Sequence, residues 1–503
     1  MASQSVIAEG NGTVSSDQIN YKQKLFSHPT YRFQPQFSNT FGQSVNLGSS
    51  QTPVTINVPP TVFNMSQSYI AYTVFLPAVT NRYIWYARQA LKEISHIQWY
   101  AGSNMYIADI DNLQNYLDIV MKKEIEAEEF MALSELTGVS ISNSLVTMIP
   151  SLRNSNTTTT NTPGLATNPS SVNYNEPGYF NVGALGQPVS YTVQFPLRYI
   201  KNSAFSVDKN MYFAQTTYLK VYFGPISKIC YTSDSNDNPS AGAKLSYVPS
   251  AGNATIGGPI TVAVPPYNTQ PIQLQLLLAV ESNEDLKTII MNQVTSSGLS
   301  YSIPYVQAFK NNNQGATQTI SINVDQNNGQ KLLKVYHAPY NSNEDQDTMY
   351  DHANNATVAG LTDGTGAAGA INQKVIQYYT QLNGARIQDL TLDCTPFGPF
   401  TDYMSHRKQL RGSIISNSNV FQYNWFHCDD WSEFGPKYDQ DNKGELVAGI
   451  PLTVSQLTWS FNGSQMRSGV NLINGLVNNN FNHYSWFVFV KRLSMSPGTI
   501  TVQ

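Results

Sequence analysis

His427-Cys428-Asp429-Asp430 is the densest run of reactive side chains in the sequence, with an imidazole, a thiol and two carboxylates in four residues. A base beside a thiol can generate a nucleophile, and an imidazole beside a carboxylate can begin a metal site. Neighbours on an extended strand point to opposite faces, so His427 and Cys428 do not converge on one substrate. His427 and Asp429 would share a face, but a metal site needs two or more further ligands from distant parts of the chain. The run is read as a turn or a strand end. Asp429 with Glu433 is the tempting pair of acids for glycoside hydrolysis, and nothing in the sequence selects it.

The other candidate chemistry is thinner. Asp439-Gln440-Asp441-Asn442-Lys443-Gly444-Glu445 opens like a calcium loop, but Lys443 stands where an oxygen ligand belongs and Ile450 where the closing Glu belongs. A hairpin turn is expected there. Glu124, Glu126, Glu128 and Glu129 read as a solvated acidic face beside Lys122 and Lys123. Gly360 to Ala370 is rich in glycine without the Gly-x4-Gly-Lys-Ser/Thr spacing of a phosphate cradle. Cys230, Cys394 and Cys428 are an odd, widely spaced set that predicts neither a disulfide framework nor a zinc ribbon. No catalytic, cofactor-binding or metal-binding residue is assigned, no cofactor is expected, and the chain is not expected to be an enzyme.

Composition points to a surface made for contact. Charged residues are only 12% of the 503, about half the usual share, while aromatics reach 12% with 30 Tyr and 22 Phe. Interface cores are poor in charge and rich in aromatic rings, whereas an ordinary exposed surface carries more charge for solubility. A net charge of −4 with scattered basic residues argues against a nucleic-acid-binding face. Met1-Ala2-Ser3-Gln4-Ser5 lacks the basic region and apolar core of a signal peptide. Leu274 to Val280 is about the longest apolar run, far short of the ~20 residues of a membrane span. A soluble protein made in the cytosol is expected.

The elements that must carry these residues are strands. Two distant stretches share one pattern: Ile94 to Ile107, a strand, a turn at Gly102 and a returning strand, and Val375 to Ile387, the same around Asn383-Gly384. The first is followed by a helix-like run with Asn112, Tyr116 and Leu117, the second by a polar-aromatic segment at Phe400-Thr401-Asp402-Tyr403-Met404, and the shared pattern is a sign of duplication. Strands are expected at Val54 to Val58, Ser68 to Leu76, Val189 to Phe195, Thr217 to Phe223, Ile260 to Val264, Ile272 to Val280, Thr319 to Val324, Lys331 to Tyr336, Leu452 to Phe461 and Tyr484 to Val490. In Thr217 to Phe223, Tyr218, Lys220 and Tyr222 fall on one face and Leu219, Val221 and Phe223 on the other. The single long helix is expected from Asp109 to about Leu136, with Leu113, Leu117, Val120 and Met121 at helical spacing. Long loops are expected at 139–190 and 341–372. The predicted fold is all-β: two tandem eight-stranded jelly rolls with one longer helix in the first domain and long projecting loops. The domains are a flexible N-terminal arm at 1–30, a first roll at 31–240, a linker at 241–258 and a second roll at 259–503.

Several passages carry a more specific likeness. They are Ile97-Gln98-Trp99 with its Gly102 hairpin and helix, Tyr191-Thr192-Val193-Gln194-Phe195-Pro196-Leu197 followed by Ala204-Phe205 and Thr217 to Val221, Gln381-Leu382-Asn383-Gly384, and Tyr484 to Val490. From about residue 20 onward the chain resembles the double jelly-roll major capsid proteins of the PRD1- and adenovirus-like double-stranded DNA viruses, closest in style to virophage or polinton-like capsids. The resemblance implies a homotrimer forming pseudo-hexagonal capsomers that tile an icosahedral shell. It also implies outward loop towers, a terminal arm at the capsid base, and penton and minor capsid or cement proteins as partners. Synthesis would be in the host cytosol and the final location the virion, without sequence-specific nucleic-acid binding or a transmembrane segment. A carbohydrate-binding or receptor-binding tandem β-sandwich is the alternative.

Overall fold

The computed structural model describes residues 53–76, 93–124 apart from 103–104, 189–224, 274–314, 317–323, 330–341 and 481–502. It also describes short strands at 14–15, 31–37, 44–46, 84–87, 179–181, 230–233, 245–247, 261–263, 357–358, 371–372, 377–382, 385–386, 392–393, 427–430, 450–451 and 456–462. Sixteen of its strands build two copies of one topology. In the first half they are β1 (Tyr31–Phe37), β2 (Val54–Val58), β3 (Val62–Leu76), β4 (Ile94–Ala101), β5 (Met105–Asp111), β6 (Val189–Pro196), β7 (Thr217–Phe223) and β8 (Gln275–Glu281). In the second they are β9 (Leu299–Gln314), β10 (Thr317–Asn323), β11 (Lys331–Asn341), β12 (Gln377–Leu382), β13 (Ala385–Arg386), β14 (His427–Asp430), β15 (Gln456–Asn462) and β16 (Phe481–Ser496).

Sheet I runs β1-β8-β3-β6 and sheet II runs β2-β7-β4-β5; sheet III runs β9-β16-β11-β14 and sheet IV β10-β15-β12-β13. Strand for strand, the order in the second half repeats that of the first. This is the duplication read from the two hairpins, and each copy is an eight-stranded jelly roll. Alternation explains the sheets: β2 and β7 bury every second residue, Val54, Ile56, Val58 and Leu219, Val221, Phe223 facing inward. The predicted split of Tyr218, Lys220 and Tyr222 from their neighbours is the one observed. Gly102, at φ 61, makes the β4–β5 hairpin turn.

Gln275–Glu281 was expected after a linker at 241–258, yet it is hydrogen-bonded to β1 on one side and β3 on the other, and Thr261–Ala263 also pairs with β3. Leu245–Tyr247 pairs with Cys230–Ser233 in a four-stranded sheet with Ile84–Ala87 and Tyr179–Asn181. The arm expected at 1–30 contributes Val14–Ser15, a parallel strand beside Leu299 and Ser300 at the edge of sheet III. The long loops expected at 139–190 and 341–372 lie mostly outside the described residues.

Among the described residues, two helices pack against the sheets. α1 (Leu113–Glu124) starts later than expected, because β5 runs through Asp111 and buries Ile110 as a strand residue. The remainder of the helix expected to Leu136 lies outside the described residues. α2 (Glu284–Ser296) is one that the sequence reading passes over. Asn283 caps it by accepting from the amides of Asp285 and Leu286, worth about 1 kcal/mol. Glu284 and Asp285 sit favourably in its first turn. Leu286, Ile290 and Val294 form its buried stripe, each contributing roughly 1.5–3 kcal/mol. Gly298, at φ 79 with the Met495 carbonyl 3.3 Å from where a Cβ would stand, turns the chain out of α2 into β9.

Candidate assembly surfaces

The reactive residues singled out in the sequence do not assemble into a catalytic site among the described residues. His427–Asp430 forms β14, with His427 opposite His337, Cys428 opposite Tyr336, Asp429 opposite Val335 and Asp430 opposite Lys334. The run is an extended strand, so Cys428 and His427 occupy opposite-face positions. Glu433, Asp439 to Glu445, Gly360 to Ala370, Glu126, Glu128, Glu129 and Cys394 lie outside the described residues. Among the described residues, no three His, Cys, Asp or Glu side chains are placed to hold a metal, and no helix is long and apolar enough to cross a membrane.

The built polar and aromatic sites are contact surfaces, and the first joins the two rolls. The ring of Tyr116 on α1 packs against Tyr336 at 6.1 Å and Trp486 at 5.9 Å, and its hydroxyl donates to the Lys201 carbonyl at 2.8 Å. Asn202, held at φ 54, donates to the Tyr336 hydroxyl at 2.8 Å. Nearby, the Tyr301 hydroxyl of the second roll donates to the Asn210 carbonyl of the first at 2.5 Å, and burial pushes that phenol's pKa up. Asn210 in turn donates to Glu281 at 2.9 Å and accepts from Tyr31 at 3.1 Å, while Asn64 donates to Asp208 at 2.7 Å. One apolar cluster runs from Ile56 and Trp99 in the first roll to Tyr301, Tyr336, Trp486 and Val488 in the second. The two rolls therefore share a core.

The second surface is the outer face of sheet II. Tyr100 stacks on Tyr218 at 5.3 Å and meets Tyr106 at 6.2 Å, with the Lys220 ammonium 4.4 Å above the Tyr100 ring. His96 stacks on Tyr222 at 4.9 Å, and its Nε2 lies 2.5 Å from the Asp109 carboxylate, which also accepts from Gln98 at 3.1 Å. The Tyr222 hydroxyl donates to Gln98 at 3.2 Å. The band continues to Tyr305 of β9, under the Lys491 ammonium at 3.8 Å. Burial first, then the charges of Asp109 and Tyr106, push the Tyr305 phenol up to about 12, and burial lowers the Lys491 pKa. Such a flat, half-buried band of rings with few net charges has the chemistry of a protein contact surface.

The third surface is β1. Phe33, Pro35 and Phe37 share one face, with Phe33 49% and Phe37 42% exposed, and Phe33 meets the Tyr69 ring edge-on at 5.6 Å. Among the described residues, no strand lies along the other edge of β1. The mid-strand Pro35 fits such an edge, because it has no N–H to offer a partner.

Glu93 and His483 are two further buried titratable groups. Glu93, 1% exposed, accepts from the Tyr72 hydroxyl at 2.6 Å, and desolvation outweighs that bond and lifts its pKa to about 7. His483 is wholly buried, and burial lowers its pKa to about 3. Neither was singled out in the sequence, where a lone Glu before a strand and a His near the terminus carry no signal. β1 was likewise missed, since Tyr31-Arg32-Phe33-Gln34-Pro35-Gln36-Phe37 alternates with a proline in its midst.

No protein-family model and no curated protein matches this sequence. Solved structures do resemble it. VP54 of PBCV-1, fitted into a reconstruction of the virophage Sputnik, superposes at a TM-score of 0.51 with 9% identity, over 94% of this chain and 97% of that one. The PBCV-1 virus capsid, in a quasi-atomic model, gives 0.50 with 10% identity and the same coverage. The mavirus major capsid protein gives 0.45 with 10% identity, over 94% and 90% of the two chains. With the repeated strand order of sheets I to IV, the two higher likenesses establish the architecture: this chain is a double jelly roll.

Proposed function

We propose that this chain is a major capsid protein, a structural subunit that associates as a homotrimer of pseudo-hexagonal outline and tiles an icosahedral virion shell. The observation that carries the reading is the fold: two rolls of identical strand order fused through one core, alike over 94% of the chain to structures of the PBCV-1 capsid. The Tyr-rich outer face of sheet II and the exposed β1 strand are the surfaces that other copies would cover. Obligate contacts of this kind bury roughly 2,000–5,000 Å². Penton and minor capsid or cement proteins are the further partners, the host cytosol the place of synthesis and the virion the final location. Within the chain, the first roll extends from β1 through Glu281, and 282–298 with α2 forms the connection to the second.

Light scattering of the purified chain tests the assembly, with a trimer expected and trimeric, hexagonal particles expected by negative-stain microscopy. A stable monomer at micromolar concentration overturns it. The tyrosine band of sheet II also bears on a second reading, carbohydrate or receptor binding, because sugars stack on exposed rings. Here Tyr100 already stacks on Tyr218 and lies beneath Lys220, and Tyr222 stacks on His96. Those ring faces are used within the chain, which favours the structural reading, and a glycan array without hits is the expected result.

A further inference from the structure

Two stretches of the chain pair with each other twice. Within sheet II, β4 runs beside β7 with Ile94 opposite Phe223, and in the small four-stranded sheet Ile84–Ala87 runs beside Cys230–Ser233 with Tyr86 opposite Cys230. The last described backbone hydrogen bond of sheet II before that small sheet joins Gly224 to Glu93: the Gly224 amide donates to the Glu93 carbonyl at 2.7 Å. α1 is packed closely against this rung, since a Cβ on Gly224 would stand 2.3 Å from the side-chain nitrogen of Gln114.

The Glu93 side chain turns from the rung into the core. The Tyr72 hydroxyl of β3 donates to its Oε2 at 2.6 Å, so this one carboxyl ties sheet I to sheet II. The Tyr72 ring also meets Phe223, next to Gly224, edge-on at 5.8 Å. Glu93 Oε1 is equally buried and has no hydrogen-bond partner among the described residues. An uncharged carboxyl tolerates such a place far better than a carboxylate that lacks a donor.

No neighbouring charge offsets this burial among the described residues. From β3 the facing titratable group is the Tyr72 phenol, and β7 brings only Phe223 and Gly224. α1 begins with Leu113 to Leu117, which carry no charge, and the Tyr116 hydroxyl there is bonded to the Lys201 carbonyl; Asp118, Lys122, Lys123 and Glu124 follow in its later turns. On β4 itself, His96 stacks on Tyr222 at the outer face. Burial therefore leads in lifting the Glu93 pKa to about 7, against the Tyr72 and backbone hydrogen bonds.

We propose that Glu93 is a proton-operated latch: with its proton it holds the Glu93–Gly224 rung against β3, and without it the rung opens and water reaches the carboxylate. The proton passes to solvent and no covalent bond changes. Because the closed-state pKa lies above the ordinary 4.5, the preference for the closed rung is fully present below pH 4.5 and is lost as the pH rises through 7. Opening loosens the point where the paired strands leave sheet II for the small sheet, and it is independent of the capsid reading.

Amide exchange of the full chain tests the latch, with rates corrected for intrinsic pH dependence and compared at pH 6 and pH 8.5. Protection of the Gly224 amide should fall about tenfold over this interval. Dilute urea should leave that opening nearly unchanged while it speeds exchange in β16, because a local opening exposes little surface. Glu93→Gln should hold the protection constant across the interval, and His96→Gln should still show the fall. Equal protection of wild-type Gly224 at both pH values overturns the proposal. So does a fall that Glu93→Gln retains or His96→Gln abolishes, or a Gly224 amide that responds to urea as strongly as those of β16.

Discussion

The two rolls share a strand order but bury opposite kinds of titratable group. The first encloses an acid, Glu93, whose pKa is lifted to about 7, and the second a base, His483, whose pKa is lowered to about 3. Desolvation is the leading cause in both, since burial disfavours whichever form is charged. Duplicating a topology therefore fixed where strands run without fixing what their interiors contain. The chemical consequence is that the two halves respond to pH in opposite directions.

The largest expected effect is on the acid side. The folded-state pKa of His483 lies below its ordinary 6.5, so the unfolded chain binds the extra proton first. The stability this group contributes is complete above pH 6.5 and is lost as the pH falls towards 3, by roughly 4–5 kcal/mol. His483→Gln should flatten this loss, measured as urea midpoints from pH 7 to pH 4 against wild type. Equal acid sensitivity of the two chains would place the acid-labile group elsewhere.

Glu93 sharpens the comparison from the other side. Its folded-state pKa lies above its ordinary 4.5, so its favourable contribution is complete below pH 4.5 and is lost as the pH rises through 7. Glu93→Gln keeps a partner for the Tyr72 hydroxyl and removes the charge. It should stabilise the chain by roughly 3 kcal/mol at pH 8 and have little effect at pH 4.5. The same midpoints read it, and a Gln variant less stable at pH 8 than wild type would contradict a buried, desolvated carboxylate.

Between the rolls, the expected effect is smaller. Tyr301→Phe leaves the ring and deletes the hydroxyl that reaches the Asn210 carbonyl. A buried carbonyl that loses its donor costs about 1–3 kcal/mol. Urea unfolding should show the midpoint fall with an unchanged slope, because the buried area is the same. A changed slope would mean that the rolls had begun to unfold separately.

What the sequence disclosed follows from which interactions are local. Alternation in Thr217 to Phe223 and the hairpin of Ile94 to Ile107 are set by neighbours a few residues apart, and both were legible. So was the duplication, through the second hairpin at Asn383-Gly384. The placement of Gln275–Glu281 was not, because the polar stretch before it reads as a linker while its partners, Tyr31–Phe37 and Val62–Leu76, lie some two hundred residues earlier. α2 had local signals, the Asn283 cap, the Leu286, Ile290, Val294 stripe and the Gly298 stop, which a window ending at Val280 passed by. His427 and Asp429 were recognised as same-face neighbours in want of distant partners. Only the sheet shows that His427 stands opposite His337, since register across strands is a property of the sheet and not of any one segment.

The smallest expected effect separates a half-buried histidine from a fully buried one. His96 lies on the outer face of sheet II against Asp109, with side chains 22% and 30% exposed, where His337 and His483 are wholly enclosed. Water and salt screen such a pair, so His96→Ala should cost the isolated chain only about 0.2–1 kcal/mol, and less at high salt. Thermal unfolding at low and high salt measures this. A loss as large as that of a core residue would mean that the outer face of sheet II is already packed within one chain, and so closed to a neighbouring copy.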